Sequence, residues 1–332
     1  FLTDSAQKVT GDTYAAASSV SVSLASSSPA SSTFLSLQGL AHVANFTFTN
    51  DTSSSVVVRG VTLKRTGVSA DTTLANSYLF DGWVRLSDSA AVSSGSVRFN
   101  DAAGLFTIPA NGSKTISVRS DLASASGETV GVKLNAASDV VFSSSSVTAT
   151  GSFPIQSATH TIASAPSGFT SVTFGTATPT SSSTTLDAQN DYAVWTDTVT
   201  VANNEALLYT MRFRNVGSIV STDINNWRLY IAGVQKGAAV ASQDANGYVT
   251  FDFSAAPIRL TAAAHTFKVM ADVIGGTSRT ITLGLRNSAD AVFVDEDYLQ
   301  PDLAGAGSFA GYDTGTQTVN AGSLTITKAS DS

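Results

Sequence analysis

Apolar and polar residues alternate with a period of two in one short segment after another. Val20-Ser-Val22-Ser-Leu24, Phe46-Thr-Phe48-Thr, Val61-Thr-Leu63-Lys, Val97-Arg-Phe99, Ile116-Ser-Val118-Arg and Val132-Lys-Leu134 carry the pattern in the first half of the chain. Val199-Thr-Val201, Met211-Arg-Phe213-Arg, Phe267-Lys-Val269 and Ile281-Thr-Leu283 carry it in the second. Successive side chains of a strand point to opposite faces, so the pattern predicts strands with one buried and one solvated face. Asp81-Gly82, Asn111-Gly112, Asn246-Gly247 and Gly275-Gly276 provide turn chemistry between strands. No stretch repeats its apolar residues every 3.6 positions. Short strands at roughly 8–12 residue spacing predict an all-β chain of antiparallel sandwiches with immunoglobulin-like character.

The pattern also repeats on a longer scale. Gly95-Ser-Val97-Arg-Phe99 returns as Gly247-Tyr-Val249-Thr-Phe251, and Thr115 through Asp121-Leu122 returns as Thr266 through Asp272-Val273. Asp139-Val-Val-Phe142 returns as Asp290-Ala-Val-Phe293, and Pro29 is answered by Pro179. An offset that stays between 150 and 152 along the whole unit predicts two tandem sandwiches of about 150 residues, at 20–162 and 170–322, joined by a linker at 163–169. Leu324-Thr-Ile326-Thr-Lys328 reads as the first strand of a further unit, so 323–332 and the tail at 1–19 are expected to belong to neighbouring units or to exchange with them.

Composition narrows the class. The 332 residues include 49 Ser and 41 Thr, while charged residues are only 13%, about half the usual share. Hydroxyls thus replace charges on the solvated sheet faces, where Thr fits the pleat. A net charge of −7 with scattered Lys and Arg lacks the basic footprint of a nucleic-acid binder. No apolar run approaches the ~20 residues of a spanning helix. Cysteine is absent, which removes disulfides and thiolate metal sites. These features predict an exported, extracellular chain.

Candidate chemistry is sparse. His42, His160 and His265 are far apart in sequence, and no nucleophile elbow, phosphate loop or zinc-protease motif is present. The chain is therefore expected not to be an enzyme and to need no cofactor. Asp121 and Asp272 occupy equivalent positions, as do Asp139 and Asp290, and equivalence across repeats predicts turn capping. Asp295-Glu296-Asp297 is the densest acidic cluster and a candidate calcium site, because hard calcium takes several carboxylate oxygens. Three Asn-x-Ser/Thr sequons make Asn45, Asn50 and Asn111 candidate glycan acceptors. Trp83, Trp195 and Trp227 form no platform in the sequence.

Val61-Thr-Leu-Lys-Arg-Thr-Gly-Val-Ser-Ala-Asp71, Tyr78-Leu-Phe-Asp-Gly82, Leu105-Phe-Thr-Ile-Pro109 and Lys114-Thr-Ile-Ser-Val-Arg119 resemble the large repetitive exported surface proteins, S-layer-like, of candidate-phyla-radiation (Patescibacteria) bacteria. The resemblance is close over about 55–142 and faint in the second unit. It implies a secreted, β-rich, self-assembling envelope protein and brings no catalytic residue with it.

The expected function is a structural one. Copies of the chain would assemble into a surface layer or filament through sheet faces and terminal strands, Val20–Leu24 and Leu324–Lys328 foremost. The alternative is a cell-surface adhesin or carbohydrate-binding module, with cell-envelope glycans as partners.

Overall fold

A computed structural model describes residues 18–123, 125–302 and 311–320. The predicted further strand at Leu324–Lys328 and nearly all of the tail at 1–19 lie outside the described residues. The described chain is all-β, with two tandem immunoglobulin-like sandwiches and no helix beyond three short 3-10 turns. None of its helices is long and apolar enough to cross a membrane.

Unit 1 is built from two sheets. One runs in the order Val147–Thr150, Ser18–Leu24, Ala41–Asn50, Gly112–Leu122, Leu74–Asp81, Val84–Arg85. The facing sheet is centred on Val56–Thr66 and Thr129–Leu134. Between them lies the core, with Phe46, Phe48, Leu63, Leu79, Ile116 and Val132 all buried. All but Leu79 are apolar members of an alternating pair whose polar neighbour points away from that core; Leu79 lies between Tyr78 and Phe80, which are themselves buried on the outer face.

Unit 2 repeats the plan. Its first sheet runs Ser171–Phe174, Gln189–Ala202, Ala264–Val273, Ile224–Ile231, Val234–Val240. This is the order of the first sheet in unit 1 without the outermost strand. The opposing sheet is centred on Ala206–Asn215, flanked by Ala291–Asp295 and Leu283–Leu285. Trp195, Phe213, Trp227 and Phe267 fill the core and are fully buried.

Two features depart from the expected pattern. The sheets are not purely antiparallel: Ser18–Ser21 pairs in parallel with Val147–Thr150, and Thr33–Leu35 with Thr161–Ala163. In addition, Ser18–Leu24 is an interior strand. It is paired on its other side with Ala41–Asn50, so both of its edges are used within unit 1 and neither is open for exchange.

Candidate functional site

The two sandwiches meet on their outer sheet faces. Tyr78 and Phe80 of Leu74–Asp81 point away from the unit 1 core and pack, with Leu40, against Ala289, Val292 and Val294 of unit 2. All six are at least 96% buried. Trp83, Leu207 and Tyr209 close the rim of this cluster. At this junction the strands are apolar in both phases of the alternation, because each is covered on both sides.

Polar groups are trapped in the same junction. Arg85 donates from Nη2 to Asp290 Oδ1 at 2.9 Å, and both side chains are essentially inaccessible to water. The other Asp290 oxygen accepts from the backbone N–H groups of Arg286 and Asn287 and closes a 3-10 turn. Asp139 caps the equivalent turn of unit 1 in the same way, through Asn135 and Ala136. The predicted capping role is therefore present in both copies of this pair, and unit 2 adds an ion pair to it; Asp121 and Asp272, expected to cap turns as well, instead bond residues distant in sequence.

Asp121 is fully buried. It accepts from the Leu40 N–H at 3.1 Å, the Tyr78 hydroxyl at 3.0 Å and the Ser288 hydroxyl of unit 2 at 2.8 Å. Burial pushes its carboxyl above the usual range, against the pull of those donors. Its repeat partner Asp272 instead meets Arg228 at 2.6 Å, also accepts from Asn226 and the Asp191 N–H, and is held down at about 2 chiefly by the Arg228 hydrogen bond.

Two clefts flank the contact. The larger, about 480 Å3, is lined by Arg98, Arg212, Arg214 and Tyr248; Arg98 and Arg214 stand in solvent. The smaller, about 410 Å3, is lined from unit 1 by Phe34, Gln38, His42, Trp83 and Arg119 and from unit 2 by Tyr209, Leu299, Gln300 and Pro301. Backbone contact ties its floor, with the Gly39 N–H donating to the Pro301 carbonyl at 3.1 Å.

The sequence-derived candidates fall elsewhere. Asp295 is fully buried. Its Oδ1 accepts from Asn204 Nδ2, Asp297 N–H and Tyr298 N–H, and its Oδ2 from Thr170 N–H. Glu296 turns to Arg259 at 2.8 Å, and Asp297 accepts from Asn204. The cluster thus pins a loop rather than presenting converging oxygens, and no group of three metal-holding side chains occurs among the described residues. Asn45 and Asn50 are buried in the Ala41–Asn50 strand. Their amide nitrogens donate to Ser27 O and to Ser54 O and Pro109 O, so neither offers a free amide to a glycan in the folded chain. Asn111 is exposed in a turn. His160 is buried, with Nδ1 on Ser32 Oγ and Nε2 on Val43 O.

Arg85, Arg119, Ser288 and Gln300 were not legible as junction residues. The signal that existed was local: Tyr78-Leu-Phe80 is apolar in both phases where its repeat partner is Arg228-Leu-Tyr230, and Ala291-Val-Phe-Val294 continues apolar where its repeat partner ends in Ser143.

No protein-family model and no curated protein matches the chain. Among solved structures it is similar to CBD12 from CALX1.2, at 9% identity over 84% of this chain and 82% of that one, with a TM-score of 0.21. It is similar to the serine-rich repeat protein Srr2 from Streptococcus agalactiae at 10% identity over 90% and 91%, with a TM-score of 0.19. It also matches the secreted serine protease VesC from Vibrio cholerae at 11% identity over 74% of this chain and 46% of that one, with a TM-score of 0.16. The chain thus spans under half of VesC. Likeness at this level carries no argument about activity.

Proposed function

We propose that the chain is a rigid, non-catalytic binding segment of an extracellular surface protein, adhesin-like in character. The observation that carries this reading is the junction. A buried ion pair, a buried carboxylate shared between units and an apolar cluster hold the sandwiches in one orientation, and clefts open on its flanks. The Ser/Thr-rich, cysteine-free composition and the resemblance over 55–142 point to the cell exterior.

Assembly of copies into a layer or filament is the second reading. The contact between units joins unlike faces, so the same contact could in principle propagate head to tail. The free faces do not repeat its chemistry. Strand register places Arg228, Tyr230, Gly233 and Gln235 of unit 2 where unit 1 has Tyr78, Phe80, Trp83 and Arg85. On the open face of unit 1, Val57, Arg59 and Ser143 stand where unit 2 has Leu207, Tyr209 and Val294. Exposed polar faces favour a closed two-unit block over a growing stack. Sedimentation velocity over a wide concentration range, with electron microscopy of the same samples, tests this. Single two-lobed particles are expected, and fibres or sheets would return self-assembly to first place.

A further inference from the structure

Arg119 is an uncompensated charge. It lies on Gly112–Leu122, on the face turned toward unit 2, and is only 7% exposed. Its guanidinium stacks 4.0 Å above the Trp83 ring and 5.4 Å from Phe80. Among the described residues it has no carboxylate partner and no hydrogen bond, and its Nε is buried without an acceptor. Stacking on an aromatic ring contributes modestly. Burying an unpaired cation costs considerably more, which is why buried charges are normally paired. The strain shows as a guanidinium pulled down to about 10 by desolvation. A second arginine at the same junction, Arg85, has the carboxylate that Arg119 lacks.

The unpaired guanidinium lines the 410 Å3 cleft, which falls in the range of small-molecule sites, roughly 300–1,000 Å3. Gln300 of unit 2 lines the same cleft. Its oxygen accepts from Gln38 Nε2 at 2.6 Å, which fixes the amide and leaves its two N–H donors without a partner among the described residues. The rest of the wall is largely apolar: Pro29, Phe34, Tyr209, Leu299 and Pro301. His42 is the cross-strand neighbour of Arg119, and burial pushes its imidazole below the ordinary value, which disfavours a second positive charge here. Among the described residues no Asp or Glu lines the cleft.

We propose that this cleft binds an organic carboxylate with an apolar body, the carboxylate taken by the Arg119 guanidinium and the Gln300 amide. A planar two-pronged donor matches a carboxylate better than it matches a neutral oxygen. The apolar lining disfavours a fully hydrated inorganic anion. Both units contribute, so the site exists only when the junction is closed. The proposal deepens the binding reading above and takes its biological setting from it.

Trp83 reports on the site directly, because Trp195 and Trp227 are sealed in the core of unit 2. The whole protein is titrated with phenylacetate, its neutral isostere benzyl alcohol, glucuronate, and sodium phosphate at constant ionic strength, following tryptophan fluorescence. Saturable binding of phenylacetate at least tenfold tighter than benzyl alcohol is expected, with loss of the response in Arg119→Gln and a several-fold weakening in Gln300→Leu. The Gln300 variant alters a loop side chain and keeps the comparison valid if Arg119→Gln fails to fold. Glucuronate is expected to bind more weakly than phenylacetate, and glucuronate binding as tightly would overturn the assignment of an apolar body. Equal binding of phenylacetate and benzyl alcohol, stronger binding of phosphate, or no saturable response overturns the proposal. Sedimentation of the same samples separates this failure from that of the binding reading: dispersed particles without a response sink the site alone, and fibres sink the reading.

Discussion

Asp121 and Asp272 sit at the same position in two copies of one scaffold, and their surroundings push the two carboxyls in opposite directions. Each accepts the N–H of a residue in the left-handed region, Leu40 or Asp191. Each faces position 78 or its repeat. In unit 1 that residue is Tyr78 and the neighbouring sandwich seals the site, so desolvation dominates. In unit 2 it is Arg228 at an open face, so the ion pair dominates.

The pH dependence of stability follows from those signs. Asp272 is held at about 2, below its unfolded value near 3.9. Its contribution is therefore complete above about pH 4 and is lost as pH falls toward 2. Asp121 works the other way, since stability falls as pH rises from the unfolded value to its raised one. Urea unfolding of unit 2 across pH 2–6 is expected to show an acid limb of about 1 kcal/mol from this partly screened pair, and Asp272→Asn should flatten it.

Arg85→Met leaves Asp290 buried without its cation, which costs about 3–5 kcal/mol. Because the cost falls on the contact between units, calorimetry should show one transition splitting into two. Adding Asp290→Asn should restore most of the loss, since an amide oxygen still caps the Arg286 and Asn287 N–H groups and no charge is left behind.

Asp295→Ala strands four donors at a buried position. A loss of about 3 kcal/mol is expected, against about 0.5 kcal/mol or less for the exposed Asp297→Ala. Thermal melts with and without calcium should coincide, because both Asp295 oxygens are already engaged.

In a host that glycosylates Asn-x-Ser/Thr sites, peptide mapping should find glycan on Asn111 only. Asn50→Asp, by contrast, should destabilise the fold by about 1–3 kcal/mol, since the Nδ2 donor to Ser54 O and Pro109 O is lost.

The sandwiches and their equivalence were legible because period-two patterning and turn residues are local signals. Val97-Arg-Phe99 and Val249-Thr-Phe251 read as strands without any partner in view. The junction was not legible in the same way. Arg119 looks like the solvated member of Val118-Arg119, yet in the folded chain it is buried, stacked on Trp83 and Phe80 and lining a cleft that unit 2 helps to form. Sequons and acidic triplets are chance-prone motifs, and burial decided the fate of Asn45, Asn50 and Asp295. Burial of an outer sheet face is a property of how two units dock, and within one unit it shows only as the break in alternation at Tyr78-Leu-Phe80 and Ala291-Val-Phe-Val294.

The parallel pairing of Ser18–Ser21 with Val147–Thr150 has a mechanical meaning. A pull that draws the chain at Ser18 away from the chain leaving Thr150 acts along both strands, so their hydrogen bonds are loaded together in shear rather than peeled one at a time. Thr33–Leu35 and Thr161–Ala163 are arranged alike in the opposing sheet. Unit 1 is thus fastened near both of its ends by contacts that resist extension along the chain.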